Sequence, residues 1–173
     1  YVAAQAPGRS LAWDCGAGNG QASVLLAERF AQVLATDASA QQLAHAMEHP
    51  RVTYIMAREQ SCGLADGTAD LVTVAQAAHW FDLESFYREC RRVLRPRGVV
   101  AIWCYGTHRV DAAIDEATRL FYDGTLDGCW PPERAMVDAL YRTLDFPFDE
   151  FIAPSFELRC DWSLDQLLGY IET

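Results

Sequence analysis

Apolar residues in the first part of this chain fall into short unbroken runs separated by sets at helical spacing. Leu11-Ala12-Trp13, Val33-Leu34-Ala35-Thr36-Asp37, Val52-Thr53-Tyr54-Ile55-Met56, Asp70-Leu71-Val72-Thr73-Val74-Ala75 and Val99-Val100-Ala101-Ile102-Trp103 have the length and β-branched character of strands. The run at 70–75 is apolar enough to be buried on both faces. Between the runs, Gln21 to Phe30, Ala40 to Met47, and the set Leu83, Phe86, Tyr87, Cys90, Val93 and Leu94 read as helices. Ser39 and Asp82 stand where N-caps belong, and Pro50 follows the second helix as a stop. Asp66-Gly67 marks a turn, and Arg95-Pro96-Arg97-Gly98 ends the third helix and turns into the fifth strand. Strand and helix alternate throughout, which predicts an α/β fold. The expected form is a Rossmann-like, doubly wound, mainly parallel sheet with helices on both faces.

Beyond Tyr105 the pattern changes. Val110, Ala113, Ile114, Ala117, Leu120 and Phe121 mark one amphipathic helix, and Met136, Val137, Leu140, Tyr141 and Leu144 mark another. Prolines at 131, 132, 147 and 154 punctuate this stretch. Phe156 to Trp162 alternates as a sixth strand, and Ser163-Leu164-Asp165-Gln166 looks like a capping box opening a last helix. The expectation is one domain over 1–173, in which residues 106–155 are a helical cap or insertion over the strand tips. Both ends look truncated or disordered, since Tyr1 is not an initiator methionine and the chain stops at Thr173, a few turns into its last helix.

The chemistry concentrates in Asp14-Cys15-Gly16-Ala17-Gly18-Asn19-Gly20, a glycine-rich turn between a strand and a helix. Such a turn lets backbone approach a ligand closely, and the helix that follows points free N–H groups at the same place. A dinucleotide fingerprint needs G-x-G-x-x-G, but its third glycine position falls on Gln21. Asp14, two residues before the first glycine, repels a pyrophosphate and attracts an amino group. Asp37 ends the second strand, where a carboxylate can accept both hydroxyls of a ribose. A nucleoside carrying a cationic amino acid suits both acids, and S-adenosylmethionine is such a molecule.

Charge and cysteine content narrow the classes. A formal net charge of −10 disfavours a phosphate-tracking surface, so no nucleic-acid partner is expected. No apolar run reaches the roughly 20 residues that span a bilayer, so no membrane partner is expected either. The six cysteines form no C-x-x-C pair and no zinc spacing. They read as packed thiols in a reducing cytoplasm, and no metal is expected.

With these elements placed, the chain resembles the class I S-adenosylmethionine-dependent methyltransferases. The nearest look is a methyltransferase type 11 core of the trans-aconitate methyltransferase-like branch. The resemblance rests on the 14–20 turn, Thr36-Asp37-Ala38-Ser39, Arg58-Glu59, the stretch from Asp70 through Gln76-Ala77-Ala78-His79-Trp80-Phe81, and Arg91-Arg92-Val93-Leu94-Arg95-Pro96-Arg97-Gly98. Trp130-Pro131-Pro132, Phe146-Pro147-Phe148 and Trp162-Ser163-Leu164 also look like this branch. The resemblance implies the class I fold, whose sheet has seven strands, and methyl transfer to a small-molecule acceptor such as a carboxylate. It implies that Gly16, Ala17 and Gly18 pass under the methionine part of the cofactor and that Asp14 meets its amino group. Asp37 would hold the ribose, with Ala38 and Ser39 beside it. Glu59 would lie near the adenine, and Gln76 and Ala77 would line the sulfonium side. His79 is the candidate catalytic residue, orienting the acceptor or taking its proton. Trp80 and Trp130 are candidate acceptor contacts, while Trp103 is expected in the core. Two other readings stay open: a nicotinamide-dependent oxidoreductase, and a nucleoside-binding module of the same fold without chemistry.

Overall fold

A computed structural model describes residues 1–151 and 153–171. Five strands, β1 (Leu11–Cys15), β2 (Gln32–Asp37), β3 (Val52–Met56), β4 (Ala69–Ala75) and β5 (Leu94–Trp103), form one sheet in the order β3-β2-β1-β4-β5. Every pair is parallel, as the strand–helix alternation predicts. The chain builds outward from β1 to β3, then crosses back to place β4 on the other side of β1. That reversal opens a crevice at the carboxyl ends of β1 and β4, where ligands bind in open α/β sheets.

The two-residue period of the strands sorts side chains into two apolar layers. Trp13, Cys15, Leu34, Val72 and Val74 face helix α4 (Leu83–Val93), which contributes Phe86, Tyr87, Cys90 and Val93. Ala12, Val33 and Leu71 face the other way, toward Leu26 and Ala27 of helix α2 (Gln21–Ala27) and Ala6, just past helix α1 (Val2–Gln5). Asp82 caps α4 by accepting from Ser85 N, and Ser39 caps the short helix α3 (Ala40–Leu43) by accepting from Gln42 N. The third thread is polar: buried Asp70 accepts from the N–H groups of Ser10 and Leu11 at 2.8 and 3.0 Å. It also meets Arg95 Nη1 at 2.9 Å, fastening β1 to the start of β5.

Several expected elements differ. The helix expected over 40–47 is one turn long; beyond it Met47 N donates to Asn19 O and Tyr54 Oη donates to Met47 O, which pins that segment to the glycine turn. The turn at 95–98 lies inside β5 as a bulge, for the register jumps from Ala69↔Leu94 to Leu71↔Val99 and Arg97 takes φ 65°. Pro96 is tolerated there because β5 is an edge of this sheet. Residues 156–162 form no strand: the alternation is present, but among the described residues no neighbouring strand supplies a ladder. Trp103, expected in the core, is 37% exposed because it closes β5 at the rim. The 106–155 span holds helices α5 (Ala112–Leu120) and α6 (Arg134–Asp138), with a π-helical turn at Phe121–Thr125. Val137 and Tyr141 tie this span to the α4 side of the core. Helix α7 (Leu164–Ile171) opens with the expected capping box, in which Gln166 N donates to Ser163 Oγ and Ser163 N donates to Gln166 Oε1. Among the described residues no helix is long and apolar enough to cross a membrane.

Candidate functional site

The turn after β1 is held open by left-handed glycines. Gly16, Gly18 and Gly20 have φ of 71°, 56° and 87°. The N–H groups of Gly16 and Ala17 both donate to Thr36 O, at 2.8 and 3.0 Å, which binds the turn to β2. A Cβ on Gly16 would lie 2.5 Å from the Cβ of Ala77, and one on Gly20 would run into the Tyr54 hydroxyl. Gly20 is the N-cap of α2, so Gln21, at the third fingerprint position, is already helical.

Two acids flank the turn in different environments. Asp14 lies beneath it, 1% exposed, and accepts from Ser23 Oγ at 2.6 Å and Thr73 Oγ1 at 2.7 Å. Burial raises its pKa above the ordinary value, against the two hydroxyls that pull it down, and the Asp37 charge adds a further push upward. Asp37 sits at the tip of β2, half-buried, accepting from Gly18 N and Ser39 N, both at 2.8 Å. It borders a cleft of about 390 Å³ at the crevice between strands, within the size range of small-molecule sites.

The cleft wall comes from four strand tips. Cys15 ends β1 and Gly16 follows it, Asp37 ends β2 with Ala38 and Ser39 after it, Ala57, Arg58 and Glu59 follow β3, and Ala77, Trp80 and Phe81 follow β4. Of the residues expected at the site, the structure therefore brings together Gly16, Asp37, Ala38, Ser39, Glu59, Ala77 and Trp80. Ala17 and Gly18 form the turn itself, and Asp14 lies below it. Glu59 also accepts from Asp82 N at 3.2 Å, which links the β3 tip to the start of α4. Gln76 is turned away: its backbone is left-handed at φ 56° and its side-chain amide donates to Tyr105 O. Trp130 lies in the 106–155 span, stacked on Tyr122 at 5.1 Å, with the Arg134 guanidinium 4.6 Å above its ring. A second depression, lined by Glu48, His49, Pro50, Val52 and Tyr54, lies away from these strand tips.

His79 occupies a 3-10 turn over Ala78–Trp80, its ring 4.7 Å from that of Trp80. Trp80 is 62% exposed and stands on the cleft wall. Burial lowers the His79 pKa and Arg134 lowers it further, while Glu133 opposes them, so the neutral imidazole is favoured. Its Nδ1 lies 2.7 Å from the hydroxyl of Tyr141. Sequence reasoning gave Phe81, Ala57 and Tyr141 no role. The first two were findable as the residues next to strand-tip motifs, whereas Tyr141 carries no local signal. Cys15, Cys62 and Cys90 are buried, and burial pushes the thiol of each up, Cys62 to about 11. Cys129 and Cys160 are exposed, against the expectation of packing. Among the described residues no group of His, Cys, Asp and Glu is arranged to hold a metal ion.

Comparison with known proteins falls on the same elements. The sequence pattern described as a methyltransferase domain matches residues 13–102. A Dictyostelium discoideum protein named as a methyltransferase is 37% identical over 166 residues, covering 94% of this chain and 63% of that protein. A Saccharomyces cerevisiae protein named as S-adenosylmethionine-dependent is 28% identical over 53% of this chain and 34% of its own length. A solved structure titled as a type II methyltransferase from Anaeromyxobacter dehalogenans superposes with TM-score 0.92 at 46% identity, covering 99% of this chain and 73% of that one. The chain thus spans 63% of the length of the Dictyostelium relative.

Proposed function

This chain belongs to the methyltransferase domain family, and from that membership we propose that it transfers the methyl group of S-adenosylmethionine to a small-molecule acceptor. The observation that carries the reading is Asp37, held by Gly18 N and Ser39 N on the wall of the cleft. On this reading its carboxylate accepts the ribose hydroxyls, and the side-chain-free Gly16 leaves room for the methionine part. On the same reading Glu59 accepts from the exocyclic amino group of the adenine, and Asp14 stabilises the amino-acid cation from beneath the turn. The bound cofactor supplies an electrophilic sulfonium methyl. The protein's part is to orient the partners in line and keep water out.

On the acceptor side stand Trp80 on the cleft wall, His79 behind it, and Arg134 near enough to bear on the ionisation of His79. This combination would suit a carboxylate acceptor, which Arg134 and His79 would hold by its charge and which would need no residue to take a proton from it. Calorimetry with S-adenosylhomocysteine and with NADH separates the first reading from the dinucleotide alternative. Heat is expected from the former and none from the latter; the reverse result overturns the proposal. Labelled methyl donor offered with a panel of carboxylic acids then separates an enzyme from a module that only binds.

A further inference from the structure

Tyr141 reaches the site from strained backbone. It and Leu140 follow α6 with φ of 58° and 50°, a left-handed pair of bulky residues. Tyr141 is nevertheless 8% exposed and packed into the α4-side core. Its hydroxyl lies 2.7 Å from His79 Nδ1, with the two rings 6.0 Å apart. The backbone N–H groups of Ala78 and His79 pull the pKa of that phenol down, but less than burial pushes it up. A phenol has one proton, and an unprotonated imidazole nitrogen is a stronger acceptor than a phenol oxygen, so at 2.7 Å that proton points at Nδ1. Burial raises the Tyr141 pKa to about 12, so the phenol keeps its proton at neutral pH.

We propose that Tyr141 is a positioning residue whose hydroxyl donates to Nδ1 and locks neutral His79 as the Nε2–H tautomer. The ring then offers the acceptor a hydrogen-bond donor, not a base. Of the two roles expected for His79, orienting the acceptor survives and taking its proton does not. An acceptor matched to this arrangement arrives already ionised, as an oxyanion that accepts from Nε2–H on one lone pair. That consequence rests on the methyl-transfer reading; the tautomer itself does not.

The test is the ring-nitrogen NMR spectrum of protein carrying ¹⁵N-labelled histidine. The chain has four histidines, and His79→Gln identifies the signals of His79 by their loss. At neutral pH, wild-type His79 is expected to show an unprotonated Nδ1 and a protonated Nε2. Tyr141→Phe should mix the tautomers and move the His79 midpoint up toward the ordinary 6.5, since a donor to the neutral ring is lost. A protonated Nδ1 in the wild type overturns the proposal, as does a Tyr141→Phe spectrum identical to the wild type. If Tyr141→Phe does not fold, the wild-type tautomer still decides. None of these signals depends on turnover, so failure of the methyl-transfer reading leaves them readable.

Discussion

At the tip of β2 a single carboxylate joins two loops and faces the cleft. Asp37→Ala removes both the loop contacts and the proposed ribose acceptor. Charge-assisted hydrogen bonds contribute about 1.5–3 kcal/mol each, so the loss of even one is expected to lower affinity for S-adenosylhomocysteine roughly 10- to 150-fold, read by calorimetry. Asp14 behaves differently because it is buried. Its folded pKa lies above the ordinary value of 3.8, so its contribution to stability is fully present below that value and is lost as pH rises through the raised folded value. Asp14→Asn is therefore expected to gain stability relative to wild type as pH increases from below 3.8 to neutrality, and to bind the amino-acid cation less well. Melting temperatures of both proteins across pH check this; a difference that is constant with pH contradicts it. Asp37 and Glu59 were legible in the sequence because each ends or follows a strand, and a strand's end locates its last side chain. Gln76 occupies an equivalent position yet points to Tyr105, because its backbone turns left-handed and residue type does not encode that.

Among the elements, β1 and β5 are joined through Asp70, whose carboxylate takes two amides and a guanidinium at no exposure. Removing one partner of a buried pair strands the others. Asp70→Ala is expected to cost about 3–5 kcal/mol, measured as a fall in the urea midpoint, with the fold otherwise intact. The five strands were visible from composition because parallel strands buried on both faces are near-continuous apolar runs. The failed strand at 156–162 shows the limit of that signal. Alternation says which side chains share a face, but a strand exists only where a neighbour completes its hydrogen bonds. The helix α6 was overestimated for a related reason: apolar spacing continues to Leu144, while the backbone leaves the helix at Ala139 and turns left-handed at Leu140. The contact between Tyr141 and His79 spans 62 positions and had no sequence signature.

For the whole molecule, the excess of 24 acidic over 14 basic residues sets how partners approach. An anionic acceptor meets long-range repulsion from the net charge of −10 before it reaches Arg134. Its kcat/KM is thus expected to rise with added salt as the screening length shrinks from about 30 Å at 0.01 M to about 8 Å at 0.15 M. Initial rates with labelled methyl donor measure this; a fall with salt contradicts it. The closeness of Gly16 to Ala77 bears on how such a molecule could change over generations. Residue 16 has no side chain left to surrender, so residue 77 cannot grow without displacing the turn proposed to bear the cofactor. Selection for a different acceptor is barred from that point. It is left to act farther along the loop, at the exposed Trp80, or in the 106–155 span, where bulk can be exchanged without pressing on that turn.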